Sequence, residues 1–317
     1  MISDFAMILA GLILLVFAGD ALVKGAVNLS LRLGVPALIV GLTVVSFGTS
    51  APELLVSIEA VMDDAPALAL GNVVGSNIAN ILLVLGVPAL IAAVPVAKSL
   101  RADFLTMMAA TFLFIALAYA GPLGWPHGLI LLTGLGVMLW FSYARARAHR
   151  ADGIADTNDL GELEGAEPGM SGRRIAFYLL GGIIGLPVGA QILVDGAVNV
   201  ATALGVSEAV IGLTLVAIGT SLPELATTFM AALRREAGVA LGNVIGSNMF
   251  NLLGIIGVAS LVGQIPVPQS MLHLDLWVMA ASSALLGVFV LTGRSIGKLA
   301  GAALIGLYVF YILHLFS

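Results

Sequence analysis

Long apolar runs separated by short polar breaks recur along the whole chain. They span roughly 4–26, 36–62, 67–93, 102–120, 125–144, 174–200, 207–233, 238–262, 272–292 and 297–316. A helix of about 20 apolar residues crosses the roughly 30 Å hydrocarbon layer of a bilayer, so each run predicts one membrane span. One stretch interrupts the pattern. Residues 145–173 (RARAHRADGIADTNDLGELEGAEPGMSGR) are polar, rich in Gly, Asp and Glu, and carry no apolar periodicity. They read as a solvated linker. The opening MISDFAMILAGLILLVF has no basic start and no clear cleavage site, and reads as a retained first span rather than a signal peptide.

Polar residues inside these runs repeat. GTSAPELLVS (48–57) returns as GTSLPELATT (219–228), and GNVVGSNIAN (71–80) returns as GNVIGSNMFN (242–251). Both pairs are offset by 171 residues (219 − 48 and 242 − 71). Without a gap, 22–90 aligned on 193–261 matches at 33 of 69 positions. The chain therefore divides into a first five-helix repeat at 1–144, the linker 145–173, and a second five-helix repeat at 174–317.

Charge gives the repeats a direction. All 13 basic residues fall near the breaks after spans 1, 3, 5, 7 and 9, and none near the breaks after spans 2, 4, 6 and 8. Basic residues collect on the cytoplasmic side, which predicts a cytoplasmic linker and both termini outside. Asp63 and Asp64 occupy the loop position where the second repeat has Arg234 and Arg235. Equivalent loops of opposite charge lie on opposite faces, as an odd number of spans per repeat requires. The expectation is an all-α polytopic membrane protein, with ten transmembrane helices in two inverted repeats and with helices 2 and 7 broken.

The motifs carry oxygen chemistry. Pro52 has no N–H and clashes with the carbonyl of Gly48, so span 2 must open there and free carbonyls from Ser46 to Thr49. Glu53 adds a carboxylate, and Thr49 and Ser50 add hydroxyls. Thr220, Ser221, Pro223 and Glu224 repeat the arrangement. A proline kink with its hydroxyls satisfied by their own helix is the plain alternative, but it leaves two intramembrane glutamates unexplained. In the second motif Asn72, Ser76 and Asn80 stand at i, i+4 and i+8 on one helix face. Gly71 and Gly75 permit close backbone approach there. Ser76, Asn80, Ser247 and Asn251 are candidate ion ligands. For Asn72, Asn77, Asn243 and Asn248, hydrogen bonding between helices is an equal alternative.

Composition narrows the chemistry. The chain is 60% hydrophobic and only 10% charged, and it contains no Cys. A soluble domain of 317 residues could not cover so much apolar surface. Thiolate metal sites are excluded, and no HExxH pair, phosphate-binding loop or nucleophile–base motif suggests an enzyme. Two carboxylates among hydroxyl, amide and carbonyl oxygens suit a hard cation. Two such charges neutralise one Ca²⁺, which takes about six to eight oxygens, whereas Mg²⁺ keeps its waters. Monovalent ions competing for the same oxygens would produce antiport.

The paired GTSxPEL and GNxxGSNxxN motifs resemble the α-repeats of the Ca²⁺/cation antiporter superfamily, in particular its prokaryotic Na⁺/Ca²⁺ exchanger branch. The resemblance implies Na⁺-driven Ca²⁺ transport by alternating access in the cell membrane. It implies no cofactor, no nucleic acid and no obligate protein partner beyond the lipid bilayer. It implies ligands at Glu53, Glu224, Thr49, Ser50, Thr220, Ser221, Ser76, Asn80 and Ser247, with main-chain oxygens from Ser46, Thr49, Ala217 and Thr220. It also suggests that the first spans of the two repeats slide over a rigid core. Asn251 stands where some members carry Asp. H⁺/Ca²⁺ exchangers of the superfamily typically carry an acid in the GN motif, and here Gly75 and Ser76 follow GNVV, which favours Na⁺. An H⁺-coupled exchanger and a cation channel are the alternatives.

Overall fold

The computed structural model describes residues 2–96, 98–151, 166–205 and 217–315. Its elements are helices: α1 (Ile2–Leu33), α2 (Ala37–Thr49), α3 (Ala51–Met62), α4 (Pro66–Ile91), α5 (Arg101–Ala120) and α6 (Trp125–Ala151). After the linker come α7 (Gly172–Ala203), α8 (Ala217–Thr220), α9 (Leu222–Leu233), α10 (Ala237–Val262), α11 (Met271–Thr292) and α12 (Lys298–Leu315). Among the described residues, eight helices are long and apolar enough to cross a bilayer, and the bent pair α2–α3 makes a ninth. Of the predicted span 207–233, residues 207–216 lie outside the described residues, and α8 and α9 form the rest. Of the expected linker 145–173, residues 152–165 lie outside them too, while 145–151 continue α6 and 172–173 begin α7.

Local sequence explains the breaks. Both spans that carry the GTSxPEL motif open at the residue two before its proline. Ser50 (φ −89°, ψ 5°) separates α2 from α3, which bend by 44°, and Ser221 (φ −89°, ψ 1°) separates α8 from α9. Pro52 and Pro223 then sit in the first turn of the new helix, where a missing N–H costs nothing. The matching continues to the far ends of α3 and α9, where Asp64 (φ 56°) and Arg235 (φ 57°) are both left-handed.

Two short antiparallel backbone bridges fix where the central helices end: Val94 pairs with Ile296, and Leu123 pairs with Ile265. Val94 follows α4, and Leu123 lies at the other end of the 20-residue α5. Ile265, which follows α10, pairs with Leu123. Hence α4 and its counterpart α10 end on opposite faces of the bundle.

These two helices form the centre. Their apolar windows are 72% and 89% buried, against 17–44% for the other spans. Packed around them are α3, α9, α5, α6, α11 and α12. At the ends, Arg145 of α6 forks onto buried Asp103 of α5, with Nη1–Oδ2 at 2.9 Å, and Tyr311 of α12 donates to Asp275 of α11 at 2.8 Å.

Outside this core lies the antiparallel pair α1–α7, in contact along its length from Asp4–Gly196 to Gly25–Leu179. Each has 32 residues, against expected spans of 4–26 and 174–200. At 1.5 Å per residue each is about 48 Å long, so both must tilt or project. Small residues let their backbones meet. A Cβ added at Gly11 would lie 2.6 Å from the Leu193 nitrogen, and one at Gly182 would lie 2.5 Å from the Leu22 Cβ. The residues just before α7 fasten the pair, since Glu167 bridges Lys24 of α1 (2.6 Å) and Arg174 of α7 (3.3 Å).

Glu236, in the turn before α10, is buried, and its Oε1 accepts no hydrogen bond from the described residues. Burial pushes its carboxyl up from 4.5 to about 7, despite nearby Arg234. Above pH 7 the folded protein must hold a buried charge, whereas the unfolded chain ionises near the ordinary value. Stability therefore falls as pH rises from about 4.5 to about 7. Glu236→Gln is expected to raise the melting temperature at pH 8 and leave it nearly unchanged at pH 4. An equal effect at both pH values would show that its ionisation is immaterial.

Candidate cation site

The broken helices α2–α3 and α8–α9 meet the central helices α4 and α10 at the level of the repeated motifs. The sequence builds this junction twice. Each Glu follows its Pro in the first turn of a half-helix, so the carboxylate is carried beside the break (Glu53 on α3, Glu224 on α9). Each half-helix is then held by an asparagine from the adjacent central helix. Asn72 donates to the Glu53 carbonyl (3.4 Å) and to Ser57 Oγ (3.2 Å). Asn243 donates to the Glu224 carbonyl (3.5 Å) and to Thr228 Oγ1 (3.1 Å).

Other bonds cross between the repeats. Ser50 Oγ donates to Glu224 Oε1 at 3.1 Å, and Thr49 Oγ1 donates to Asn243 Oδ1 at 3.1 Å. Asn80 Nδ2 donates to Asn248 Oδ1 at 3.0 Å, and Asn248 Nδ2 in turn reaches the Asn77 carbonyl at 3.4 Å. The junction is thus one site made by both repeats.

The predicted residues fall here as follows. Ser46, Thr49, Ser50, Glu53, Ser76, Asn80, Ser221, Glu224, Ser247 and Asn251 are all buried, none more than 5% exposed. Ser46 lies at the start of the turn before the break, its hydroxyl bonded to the Leu42 carbonyl at 2.8 Å; its own carbonyl is not freed as expected, since it accepts the Ser50 N–H at 3.0 Å and the Thr49 hydroxyl at 3.3 Å. Thr220 is half-buried and Ala217 begins α8, so their carbonyls belong to the turn before the second break.

The unmet oxygens are concentrated. Among the described residues, nine buried side-chain oxygens accept or make no hydrogen bond. Seven of them belong to the four motifs: Glu53 Oε2, Glu224 Oε2, Asn77 Oδ1, Asn80 Oδ1, Asn251 Oδ1, Ser221 Oγ and Ser247 Oγ. Buried acceptors left without donors are costly, and buried carboxylates far more so, unless a cation or protons meet them. No lysine or arginine pairs with Glu53 or Glu224 among the described residues. Nor does any group of three or more His, Cys, Asp and Glu side chains form among them. The junction offers two carboxylates and a surplus of neutral oxygens, which is the donor set of a hard cation rather than a borderline metal.

Asn248 makes the hydrogen bonds between helices that were one of its two readings, with Asn80 and with the Asn77 carbonyl, whereas the π turns in these helices were not predicted. Asn77 and Asn248 take part in the junction although their positions do not share the i, i+4, i+8 face. A π-helical turn follows the motif in each repeat, at Asn80–Val84 in α4 and at Phe250–Ile255 in α10. One extra residue in such a turn rotates the helix face that comes after it. A third π turn, Gly41–Val45, precedes Ser46 in α2. The only sequence signal was the repetition of the asparagines themselves.

A family model described as "Sodium/calcium exchanger protein" matches residues 3–144 and 174–317 of this chain. The chain is 33% identical to the sodium/calcium exchanger MaX1 of Methanosarcina acetivorans, over 99% of its own length and 98% of the relative's. It is 38% identical to the inner membrane protein YrbG of Escherichia coli, over 83% and 81%. In structure it is similar to the sodium-calcium exchanger NCX_Mj soaked with zero Na⁺ and Ca²⁺, with a TM-score of 0.84 at 34% identity, covering 99% of both chains.

Proposed function

Since the chain belongs to the sodium/calcium exchanger family, we propose that this multi-pass membrane protein exchanges Na⁺ for Ca²⁺ by alternating access at the Glu53–Glu224 junction. It does so as ten spans in two inverted five-helix repeats, with both termini outside and the linker on the cytoplasmic side. The observation that carries this reading is the facing pair of buried carboxylates among oxygens that the protein itself leaves unmet.

Each residue type has its part. Glu53 and Glu224 supply the charge that compensates Ca²⁺ dehydration. Ser50, Ser221, Ser76, Ser247, Asn80 and Asn251 supply neutral oxygens, together with carbonyls of Ser46, Thr49, Ala217 and Thr220. Asn72 and Asn243 hold the half-helices that carry the glutamates. Na⁺ competes for the same oxygens. Occupancy by one ion type excludes the other, and this exclusion couples the two fluxes.

The direct experiment is ⁴⁵Ca²⁺ uptake into proteoliposomes loaded with Na⁺. Uptake that collapses when the Na⁺ gradient is dissipated is expected. Uptake that ignores Na⁺ and follows a pH gradient would establish proton coupling instead, and uptake without any countertransport would establish a channel. A further expectation concerns Asn251. Asn251→Asp adds a titratable group beside two carboxylates, so the pH profile of exchange should change. An unchanged profile would place Asn251 outside the site.

A further inference from the structure

The two repeats match at their breaks but not in what covers them. Helix α1 lies along α9, with Gly19 against the Ala226 carbonyl, 3.0 Å from an added Cβ. The contact ends at an ion pair: Arg234 Nε and Nη2 each lie 2.5 Å from Asp20 Oδ1. Arg234 caps the end of α9 opposite Glu224. Among the described residues this is the ion pair that joins the α1–α7 pair to a helix of the site.

Applying the offset of 171 gives its counterpart. Asp20 corresponds to Gln191 on α7, and Arg234 to Asp63 at the end of α3. These two do not meet. Gln191 Nε2 donates to Asp195 Oδ1 one turn away on its own helix, at 2.7 Å. Asp63 is exposed, with no side-chain partner among the described residues. Leu55, the counterpart of Ala226, is 62% exposed. So α7 leaves bare on α3 the face that α1 covers on α9.

The two groups are nevertheless complementary, an amide donor and a carboxylate acceptor. We propose that Asp20–Arg234 and Gln191–Asp63 are alternate latches, each holding the α1–α7 pair in one of its two packings against the site helices. This rests on the alternating-access reading above. In an inverted repeat the second packing is the first with the roles of the repeats exchanged. Covering α3 with α7 would bring Gln191 to Asp63 as α1 now brings Asp20 to Arg234. The first latch joins two charges, the second only one. The pair of latches is therefore unequal, and it biases the resting protein towards the packing seen here, with Asp20 on Arg234.

The absence of native cysteine makes the test clean. Spin labels on Leu33→Cys, at the end of α1, and Leu299→Cys, on the exposed start of α12, report the position of α1 against the core by pulsed electron resonance. Distances would be collected in Na⁺, in Ca²⁺ and without either ion. Asp20→Asn should raise the weight of the second distance roughly two- to fivefold, the range for a partly exposed ion pair. Gln191→Lys should raise it too, by charging the other latch. The exchange Asp20→Arg with Arg234→Asp should restore the native weights. Unchanged weights in Asp20→Asn, or no restoration in the exchanged pair, would overturn the latch while leaving alternating access intact. A single distance for the native protein in all three conditions would overturn alternating access and the latch with it.

Discussion

Glu53→Gln and Glu224→Gln are each expected to abolish Ca²⁺ exchange while leaving the fold intact. The amide has the shape of the carboxylate, and in Glu224→Gln the amide oxygen would still accept the hydrogen bond that Ser50 gives to Glu224 Oε1. What each variant loses is charge. One carboxylate cannot neutralise a divalent ion at 1% exposure, where water contributes almost nothing. Removing one partner of a buried charge pair costs about 3–5 kcal/mol, which corresponds to an affinity loss of roughly 100-fold or more. The check has two parts. ⁴⁵Ca²⁺ exchange should fall to background, and the rise in melting temperature that Ca²⁺ gives the native protein should vanish. The ion-free variants should melt no lower than the native protein, because an unpaired buried carboxyl has been removed. Native-level exchange by either variant would sink the two-carboxylate site.

Gly246→Ala is expected to lower exchange by at least about tenfold through geometry alone. A Cβ there would lie 2.6 Å from both the Leu42 carbonyl and Ser46 Oγ, and 2.8 Å from Leu42 Cα. Two of these atoms are backbone, so α2 itself must retreat from α10. The Leu42 carbonyl also holds the Ser46 hydroxyl, and the displacement passes straight into the turn that precedes the break. Overpacking of this kind costs about 1–3 kcal/mol, and ligand sets tolerate misplacement of only about 0.5 Å. Gly306→Ala is the control, since a Cβ there meets no described atom within 4 Å. Exchange and thermal stability measured on both variants separate the cases. Equal behaviour of the two would show that the α2–α10 approach is not critical.

Much of this was legible from local sequence, for identifiable reasons. Proline removes a donor and clashes one turn back, and in the two GTSxPEL motifs the neighbouring residues let the helix open there. The breaks at Ser50 and Ser221 therefore adopt nearly the same angles in two different settings. Apolar run length marked the spans because a bilayer demands it. The opposed charges of Asp63–Asp64 and Arg234–Arg235 indicated inversion, and the bridges Val94–Ile296 and Leu123–Ile265 show α4 and α10 ending on opposite faces. Polar identities inside apolar helices named the residues of the junction, since nothing but function or interhelical bonding retains them there.

The asparagines were less legible. Helical spacing put Asn72 with Ser76 and Asn80, but Asn72 braces the Glu53 half-helix through its carbonyl, and Asn77 joins the junction from another face. A π turn depends on how a helix packs over several turns, and no residue type signals it. The lengths of α1 and α7 were also understated, because their ends lean on each other and on Glu167 rather than on lipid.

Local stereochemistry and the hydrophobic demand of the bilayer specify the apolar spans, the two breaks and the carboxylate that follows each break without reference to the rest of the molecule; bringing Glu53 and Glu224 to one junction takes the bonds between the repeats. Nor can local stereochemistry specify which repeat is covered. On the proposed latches the same residues encode two packings of α1–α7 over equivalent helices. The choice between them rests on contacts between residues far apart in the chain, Asp20 with Arg234 foremost. Such a contact contributes only a small energy difference, and it exists once the whole bundle has assembled.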